Sequence, residues 1–166
     1  MPAFIAPPTQ ISTMPAAKFA ELTGKLDINP EHVVRYAVLD NGPQWHVFEL
    51  QSATQVLAVD SSLVRWPYEK AIGLIGPHLN VDDCDFEVRM LAHSSGMSED
   101  PITGSLNSAL AHWLLKNDVL TEPVVVAQGT TINRQGRVYI TPDPKVDGQV
   151  SIGGQTHVLV EGQVLL

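Results

Sequence analysis

The chain has 166 residues, of which 44% are hydrophobic and 17% are charged, and its formal net charge is −8. This length and apolar content are typical of one folded domain with a buried core and exclude a disordered chain. The ten Lys and Arg residues are scattered along an acidic sequence. We therefore expect neither a nucleic-acid-binding surface nor attraction to an anionic membrane.

The cysteine content and the length of the apolar runs are used to predict the cellular compartment of the protein. The chain has one cysteine, Cys84, so it has no internal disulfide bond, as is usual in a reducing compartment. The N-terminal residues lack a basic and an apolar segment of signal-peptide type, and no apolar run is long enough for a membrane span. We expect a cytoplasmic protein.

The first predicted element is a helix over residues 13–23. Thr13 is a residue type that caps helices, and Pro15 stands in the first turn, where its missing N–H costs nothing. Gly24 is suited to the C-terminal end of such a helix.

A β-hairpin is predicted next. Residues 33–39 and 45–50 are rich in β-branched and aromatic side chains. Asp40-Asn41-Gly42 lies between them and supplies residue types that tolerate the positive φ of a tight turn. Residues 55–59 are interpreted as a third strand.

The remaining elements are short. Asp60 or Ser61 is predicted to cap a short helix that reaches toward Tyr68. The later strand-like segments, separated by turn residues, are 71–75, 86–93, 124–127, 131–141 around a turn at 133–136, and several short strands within 146–166. Many strands and few helices predict an α+β fold with mostly antiparallel pairing. Without an internal repeat or linker, residues 1–166 are interpreted as a single domain.

One segment carries most of the chemical information. From Thr103 to Leu115 the apolar residues recur at helical spacing, so we predict a mostly buried helix. The start of that helix is polar. Gly104 allows a ligand to approach the backbone, and Ser105 adds a hydroxyl group beside the unpaired N–H groups of the first turn. Such a helix start favours a carboxylate or a phosphate.

Asp100 precedes this helix, where a carboxylate could exchange a proton with a bound ligand. An alternative interpretation is an ordinary helix start, with Asp100 as the cap and Pro101 in the first turn. The spacing alone leaves both interpretations open.

Other reactive residue types give weaker signals. Cys84 stands among aspartates, which oppose thiolate formation, so we expect an inert thiol. The histidines show no metal-ligand spacing, and we predict no metal site. His93 is the histidine expected nearest to the start of the buried helix. No dinucleotide or phosphate-loop motif is present.

The segment Glu99-Asp100-Pro101-Ile102-Thr103-Gly104-Ser105 resembles the Glu-Asp-Pro-x-Thr-Gly-Ser signature of the PhzF-like (phenazine biosynthesis type) isomerase family. Further segments resemble the family in the same order and at similar spacing; they are 41–45, 86–93, 128–137 and 152–162. The resemblance covers nearly the whole chain and corresponds to the C-terminal half of a family protein.

The resemblance implies the diaminopimelate epimerase-like fold, in which a β-sheet wraps around a central helix. It implies cofactor-independent isomerisation of a small carboxylate-bearing substrate by proton transfer, without a metal ion. Gly104 and Ser105 would bind the substrate, and Asp100 would handle the proton. Thr103 is a weaker binding candidate, expected to orient the loop.

The N-terminal half of the family, with its acid/base glutamate, has no counterpart in this chain. The first hypothesis is therefore an incomplete or weakly active isomerase that pairs with an N-terminal-half partner. The second is a homodimer in which two copies face each other across a cleft. The third is a non-enzymatic module that binds small anions. We expect a homodimer, because the face normally covered by the missing domain would otherwise be a bare apolar patch.

Overall fold

The computed structural model describes residues 1–64, 71–79, 83–94 and 97–163, with backbone alone for 92–94, 97 and 98. The helices within these residues are α1 (Ala16–Lys25), α2 (Ala53–Ala58) and α3 (Gly104–Lys116). The strands within them are β1 (Ala3–Ile5), β2 (Gln10–Ser12), β3 (Val33–Asp40), β4 (Gln44–Leu50), β5 (Ile72–Pro77), β6 (Phe86–Ser94), β7 (Met97–Asp100), β8 (Val124–Gln128), β9 (Gly136–Pro142) and β10 (Val150–Gly154). Short 3₁₀ turns join some of them.

The strands form one sheet in the order β1-β10-β9-β8-β6-β5-β4-β3-β2, and β7 pairs with the second half of β6. Strand pairs β4–β5 and β6–β8 are parallel, and the other pairs within the described residues are antiparallel. The predicted α+β class with mostly antiparallel pairing is confirmed.

The sheet curls until its two edges approach each other. Its edge strands β1 and β2 are consecutive in the chain and are joined by residues 6–9. A connection of that length spans at most about 17 Å. Ala6 continues the β1–β10 pairing through its N–H, and Thr9 Oγ1 lies 3.3 Å from Nδ1 of His112 on α3. The N-terminal segment thus holds both edges of the sheet around α3.

Two apolar cores lie on opposite faces of the sheet. The inner core surrounds α3, whose residues Leu106, Leu110 and Leu114 are at most 1% exposed. The outer core lies where α1 and α2 cover β3 to β6, and it is built around Met14, Leu22 and Phe48. The mostly buried helix predicted after Thr103 is therefore the centre of the fold.

The first helix is shorter at its start and longer at its end than predicted. It begins at Ala16 with Pro15 in the cap position, so Thr13 is not its cap. Gly24 lies inside the helix rather than closing it. Asp27 adopts a left-handed conformation with φ of 51°, and the next amide donates back to the Thr23 carbonyl, as in a Schellman ending.

The strand interpretation of residues 55–59 is wrong, because residues 53–58 form α2. The Ser52 hydroxyl accepts a hydrogen bond from the Gln55 N–H and caps that helix. Asp60 caps the following turn through the Ser62 N–H, as predicted, whereas the continuation toward Tyr68 lies outside the described residues.

The end of the chain also differs from its prediction. Of the short strands expected within 146–166, β10 is present, whereas residues 155–163 contain no strand. Val158, Leu159 and Val160 are 85–90% exposed. Strands β1, β2 and β7 were not predicted. Each is three or four residues long, too short to show an apolar alternation. No described helix has the length and apolar character to cross a membrane.

Leu110→Ala should lower the free energy of unfolding by about 2–5 kcal/mol, since it opens a cavity at the centre of the inner core. Leu159→Ala is the matched control, because that side chain is 90% exposed, and its effect should stay within about 0.5 kcal/mol. Urea unfolding followed by circular dichroism measures both values. Equal effects would contradict the central position of α3.

Candidate active site

Asp100 is the last residue of β7, and the three residues 101–103 separate it from the start of α3. The Asp100 backbone pairs with Met90 on β6, and its side chain is half-buried. Pro101 cannot donate to a strand ladder, so the strand stops there and the chain turns toward the centre of the sheet. The loop formed by residues 101–103 therefore lies between a sheet edge and a helix start.

Thr103 occupies the N-cap position of α3 without capping it through its side chain. Its Oγ1 instead donates a hydrogen bond of 2.7 Å to Oδ2 of Asp100. The interpretation of Asp100 as the helix cap, with Pro101 in the first turn, is therefore wrong. The Thr103 side chain is buried, with its hydroxyl between Asp100 and Gln128.

The first turn of α3 consequently keeps its N–H groups open. In the described part of the chain, no side chain accepts a hydrogen bond from the amides of Gly104, Ser105 or Leu106. Gly104 is half-buried, and Ser105 is exposed. The helix dipole gives this end a partial positive charge. Together the open amides and the Ser105 hydroxyl can hold a carboxylate or phosphate group.

Gln128 at the end of β8 connects this loop to the sheet; its segment resembles the family, but the sequence pattern assigns this side chain no role. The side chain is fully buried and makes four hydrogen bonds. Oε1 accepts from the Thr103 N–H at 3.2 Å and from Asn107 Nδ2 at 2.8 Å. Nε2 donates to the Asp100 carbonyl and to Thr103 Oγ1, both at 3.0 Å.

Asn107 lies one turn into α3 and is also fully buried. Its Nδ2 donates to the Thr103 carbonyl and to Gln128. Its Oδ1 is a buried acceptor that lacks a hydrogen-bond partner among the described residues. An unpaired acceptor costs free energy, so its place beside the open helix start is consistent with a site that a ligand or water completes.

Glu99 anchors the strand that carries Asp100. It forms a bidentate ion pair with the buried Arg89 guanidinium, with 3.0 Å between Arg89 Nε and Glu99 Oε2, and Thr131 Oγ1 donates to it at 2.8 Å. Burial alone would raise the pKa of Glu99. The hydrogen bonds from Arg89 and Thr131 prevail and hold its pKa below the usual value.

An apolar groove of about 460 Å³ adjoins the helix start. Phe4 of β1, Ile102 of the loop and Gly104 of α3 are among the residues that line it. Phe4 is 50% exposed and Ile102 is 46% exposed. The open amides therefore sit at the edge of an apolar concavity rather than on a polar surface.

Other candidate groups lie apart from this site or outside the described structure. Cys84 is buried; burial first, and its acidic neighbours in addition, raise the pKa of its thiol, which fits the predicted inert role. His112 is half-buried and contacts Thr9 and the Ser108 carbonyl. The His93 side chain lies outside the described structure. Among the described residues, no group of three His, Cys, Asp or Glu side chains is placed to hold a metal ion.

The fold and the site define a class of protein. A sheet wraps around a buried helix, and the open amides at the start of that helix follow the Asp100 carboxylate. A family model described as "Phenazine biosynthesis-like protein" matches residues 3–162. The chain belongs to this family, PhzC-PhzF, whose members have the diaminopimelate epimerase-like fold. No curated protein matches the chain.

Solved structures agree with this fold. A PhzF-family phenazine biosynthesis protein from Bacillus anthracis is 18% identical with a TM-score of 0.68, over 92% of this chain and 56% of its own. A predicted epimerase from Pseudomonas aeruginosa is 19% identical with a TM-score of 0.70, over 99% of this chain and 58% of its own. A PhzF-family protein from Enterococcus faecalis is 19% identical with a TM-score of 0.62, over 99% and 57%. The chain spans less than two thirds of the length of each.

Glu99→Gln should lower the free energy of unfolding at pH 7 by about 3–5 kcal/mol, because it leaves the buried Arg89 charge unpaired. The pKa of Glu99 is lowered in the folded protein, so its stabilising effect is present above the ordinary value of 4.5 and is lost as the pH falls further. The difference from the parent protein should therefore shrink toward acid pH.

Glu21→Gln provides the control, since Glu21 is an exposed ion-pair partner on α1. It should leave stability essentially unchanged. Chemical unfolding at several pH values measures both variants. A Glu99→Gln effect that is independent of pH would contradict the ionised pairing with Arg89.

Proposed function

We propose that this chain supplies one half of the active site of an isomerase that moves a proton within a small carboxylate-bearing substrate, without a metal ion or an organic cofactor. The observation that carries the proposal is the open start of α3 beside Asp100. Membership of the PhzC-PhzF family supports an isomerase-like activity. The single buried cysteine supports a cytoplasmic location.

In this proposal the substrate carboxylate accepts hydrogen bonds from the amides of Gly104 and Ser105 and from the Ser105 hydroxyl. These donors hold the substrate in a fixed position, which lowers the entropic cost of the reaction. The Thr103 hydroxyl occupies Oδ2 of Asp100. Oδ1 is left to exchange a proton with the substrate, since no described residue donates to it.

Moving a proton between two carbon atoms requires a group that accepts it and a group that returns it. Asp100 precedes the open amides of α3, and we assign one of these two roles to its carboxylate. We propose that the second group comes from a complementary half, either an N-terminal-half partner or a second copy of this chain. The chain spans 56–58% of the length of the related structures.

A non-enzymatic role is the second candidate. The same open helix start would bind a small anion without turnover if no second acid/base group is provided. The presence of one carboxylate beside the described site favours this candidate for the isolated chain. Binding without isotope exchange distinguishes it from the isomerase.

The activity is tested by proton exchange in heavy water. Amino acids and cyclohexadiene-type carboxylates are incubated with the chain, alone and mixed with the N-terminal half of a PhzF-family protein, and deuterium uptake is followed by NMR. Asp100→Asn should reduce the exchange rate by about 10²–10⁴-fold. Ser105→Ala should weaken binding by about tenfold, because one hydrogen bond to a charged group is lost.

Asp118→Asn is the control for Asp100→Asn. Asp118 is exposed just after the far end of α3, so its change should leave exchange and binding as they are. Exchange that survives both Asp100→Asn and Ser105→Ala would show that the site is assigned wrongly. Anion binding without exchange in any mixture would favour the binding module.

The proposal also predicts association through the groove face. Phe4 and Ile102, which line the groove, expose apolar surface, and apolar patches of this kind favour contact with a partner. Light scattering after size exclusion should give twice the 18.0 kDa mass of one chain. Phe4→Ser with Ile102→Ser should shift the mass toward the monomer. A monomeric parent chain would reject the homodimer and leave the N-terminal-half partner.

A further inference from the structure

We infer that Gln128 is a positioning residue that holds the Thr103 hydroxyl on Asp100 and thereby keeps the start of α3 open for an anion. This inference rests on the proposed function. It extends that function to a side chain that touches neither the substrate position nor the open amides.

The orientation of the Gln128 amide is fixed by two backbone groups. The Thr103 N–H can only donate, so the atom that faces it at 3.2 Å is Oε1. The Asp100 carbonyl can only accept, so the atom that faces it at 3.0 Å is Nε2. The two assignments agree, and the side chain has no alternative orientation that satisfies both.

This orientation fixes the direction of the Thr103 hydroxyl. Nε2 of Gln128 donates to Thr103 Oγ1 at 3.0 Å, so the single proton of that hydroxyl is free to point elsewhere. It points to Asp100 Oδ2, which lies at 2.7 Å. Gln128 therefore donates to the Thr103 hydroxyl, and that hydroxyl donates in turn to the Asp100 carboxylate.

The same hydrogen bonds keep Asp100 away from the helix start. A carboxylate that precedes a helix is a favourable cap for its first amides. Here Oδ2 is held by Thr103, and no side chain among the described residues caps α3. Loss of this hold would let the carboxylate turn toward the amides of Gly104 and Ser105 and compete with a bound anion.

The backbone next to Gln128 allows a close contact with the loop of residues 101–103. A Cβ atom at Gly129 would lie 2.9 Å from the Pro101 carbonyl oxygen, and one at Gly136 would lie 2.6 Å from Ile102 Cγ1. Glycine at both positions lets the loop of residues 101–103 lie directly on the β8–β9 connection. Gln128 directly precedes Gly129, and its side chain lies within hydrogen-bond distance of the loop.

The experiment uses the whole chain, labelled with ¹⁵N, and benzoate as the probe. The benzoate affinity is taken from the amide shifts of Gly104 and Ser105, and hydrogen exchange is measured at the Thr103 amide. Gln128→Met keeps the length of the side chain and removes its hydrogen bonds. It should weaken benzoate binding and speed Thr103 exchange, each by about tenfold, while exchange at Val138 changes little.

Val126→Ala controls for a general loss of stability, because Val126 is a buried core residue on the same strand. It should lower the melting temperature but leave benzoate affinity within about twofold, since its cavity lies away from the loop. Equal weakening by Val126→Ala and Gln128→Met would overturn the inference. So would unchanged binding and unchanged Thr103 exchange in a folded Gln128→Met variant.

A second pair of variants tests the hydroxyl itself and serves also if Gln128→Met does not fold. Thr103→Val should weaken benzoate binding, while the backbone amide at position 103 stays protected from hydrogen exchange by Gln128. Thr103→Ser keeps the hydroxyl and should retain the affinity of the parent chain. Unchanged affinity in Thr103→Val would overturn the inference. If benzoate does not shift Gly104 and Ser105 in the parent chain, the proposed anion site fails, whereas Thr103 exchange in Gln128→Met still decides whether Gln128 fixes the loop.

Discussion

The enclosure of α3 by the sheet is the constraint on which the rest of the structure depends. A helix with buried leucines on several sides cannot lie on one face of a flat sheet, so the sheet must curve around it. The N-terminal segment makes this possible, because it supplies both edge strands. Strand β1 pairs with β10, and strand β2 pairs with β3. The ends of the helix are then the places where polar backbone groups reach solvent. The candidate site is therefore a consequence of the architecture, since an enclosed helix has its open amides at the mouth of the sheet.

At this end of the sheet, the start of α3 lacks the side-chain cap that helices usually have. Thr103 has the residue type and the position of a cap, yet its hydroxyl serves Asp100, and the first amides stay open. Asn107 keeps a buried acceptor without a described partner. Such departures from local preference cost stability, and in proteins they concentrate where a ligand compensates for them. The well-paired Glu99 and Arg89 lie next to this region and supply rigidity from the adjacent strand.

The sequence predicts the elements whose structure is determined by residues close together in the chain. The hairpin of β3 and β4 follows from its strand composition and turn residues, and α3 follows from its periodicity. The sequence predicts a strand over residues 55–59 because their apolar content suits either structure, and the Ser52 cap decides for a helix over residues 53–58. Strands β1 and β2 exist because a distant part of the sheet supplies their partners. The role of Gln128 could not be recognised for the same reason, since its four hydrogen bonds join residues more than twenty positions away.

The geometry also explains why the proposed site, by itself, would bind an anion more effectively than it would transfer a proton. Amides at a helix start stabilise a negative charge whether or not a reaction follows, so they favour the ground state and the transition state together. Proton transfer needs in addition a base and an acid whose proton affinities suit the working pH, and such affinities arise in a closed site from which water is excluded. Asp100 is half-buried, and Gly104, four residues later, lines an open apolar groove. A covering half would exclude water from that groove and bring a second acid/base group, so closure and completion of the catalytic pair are one event in the proposed mechanism.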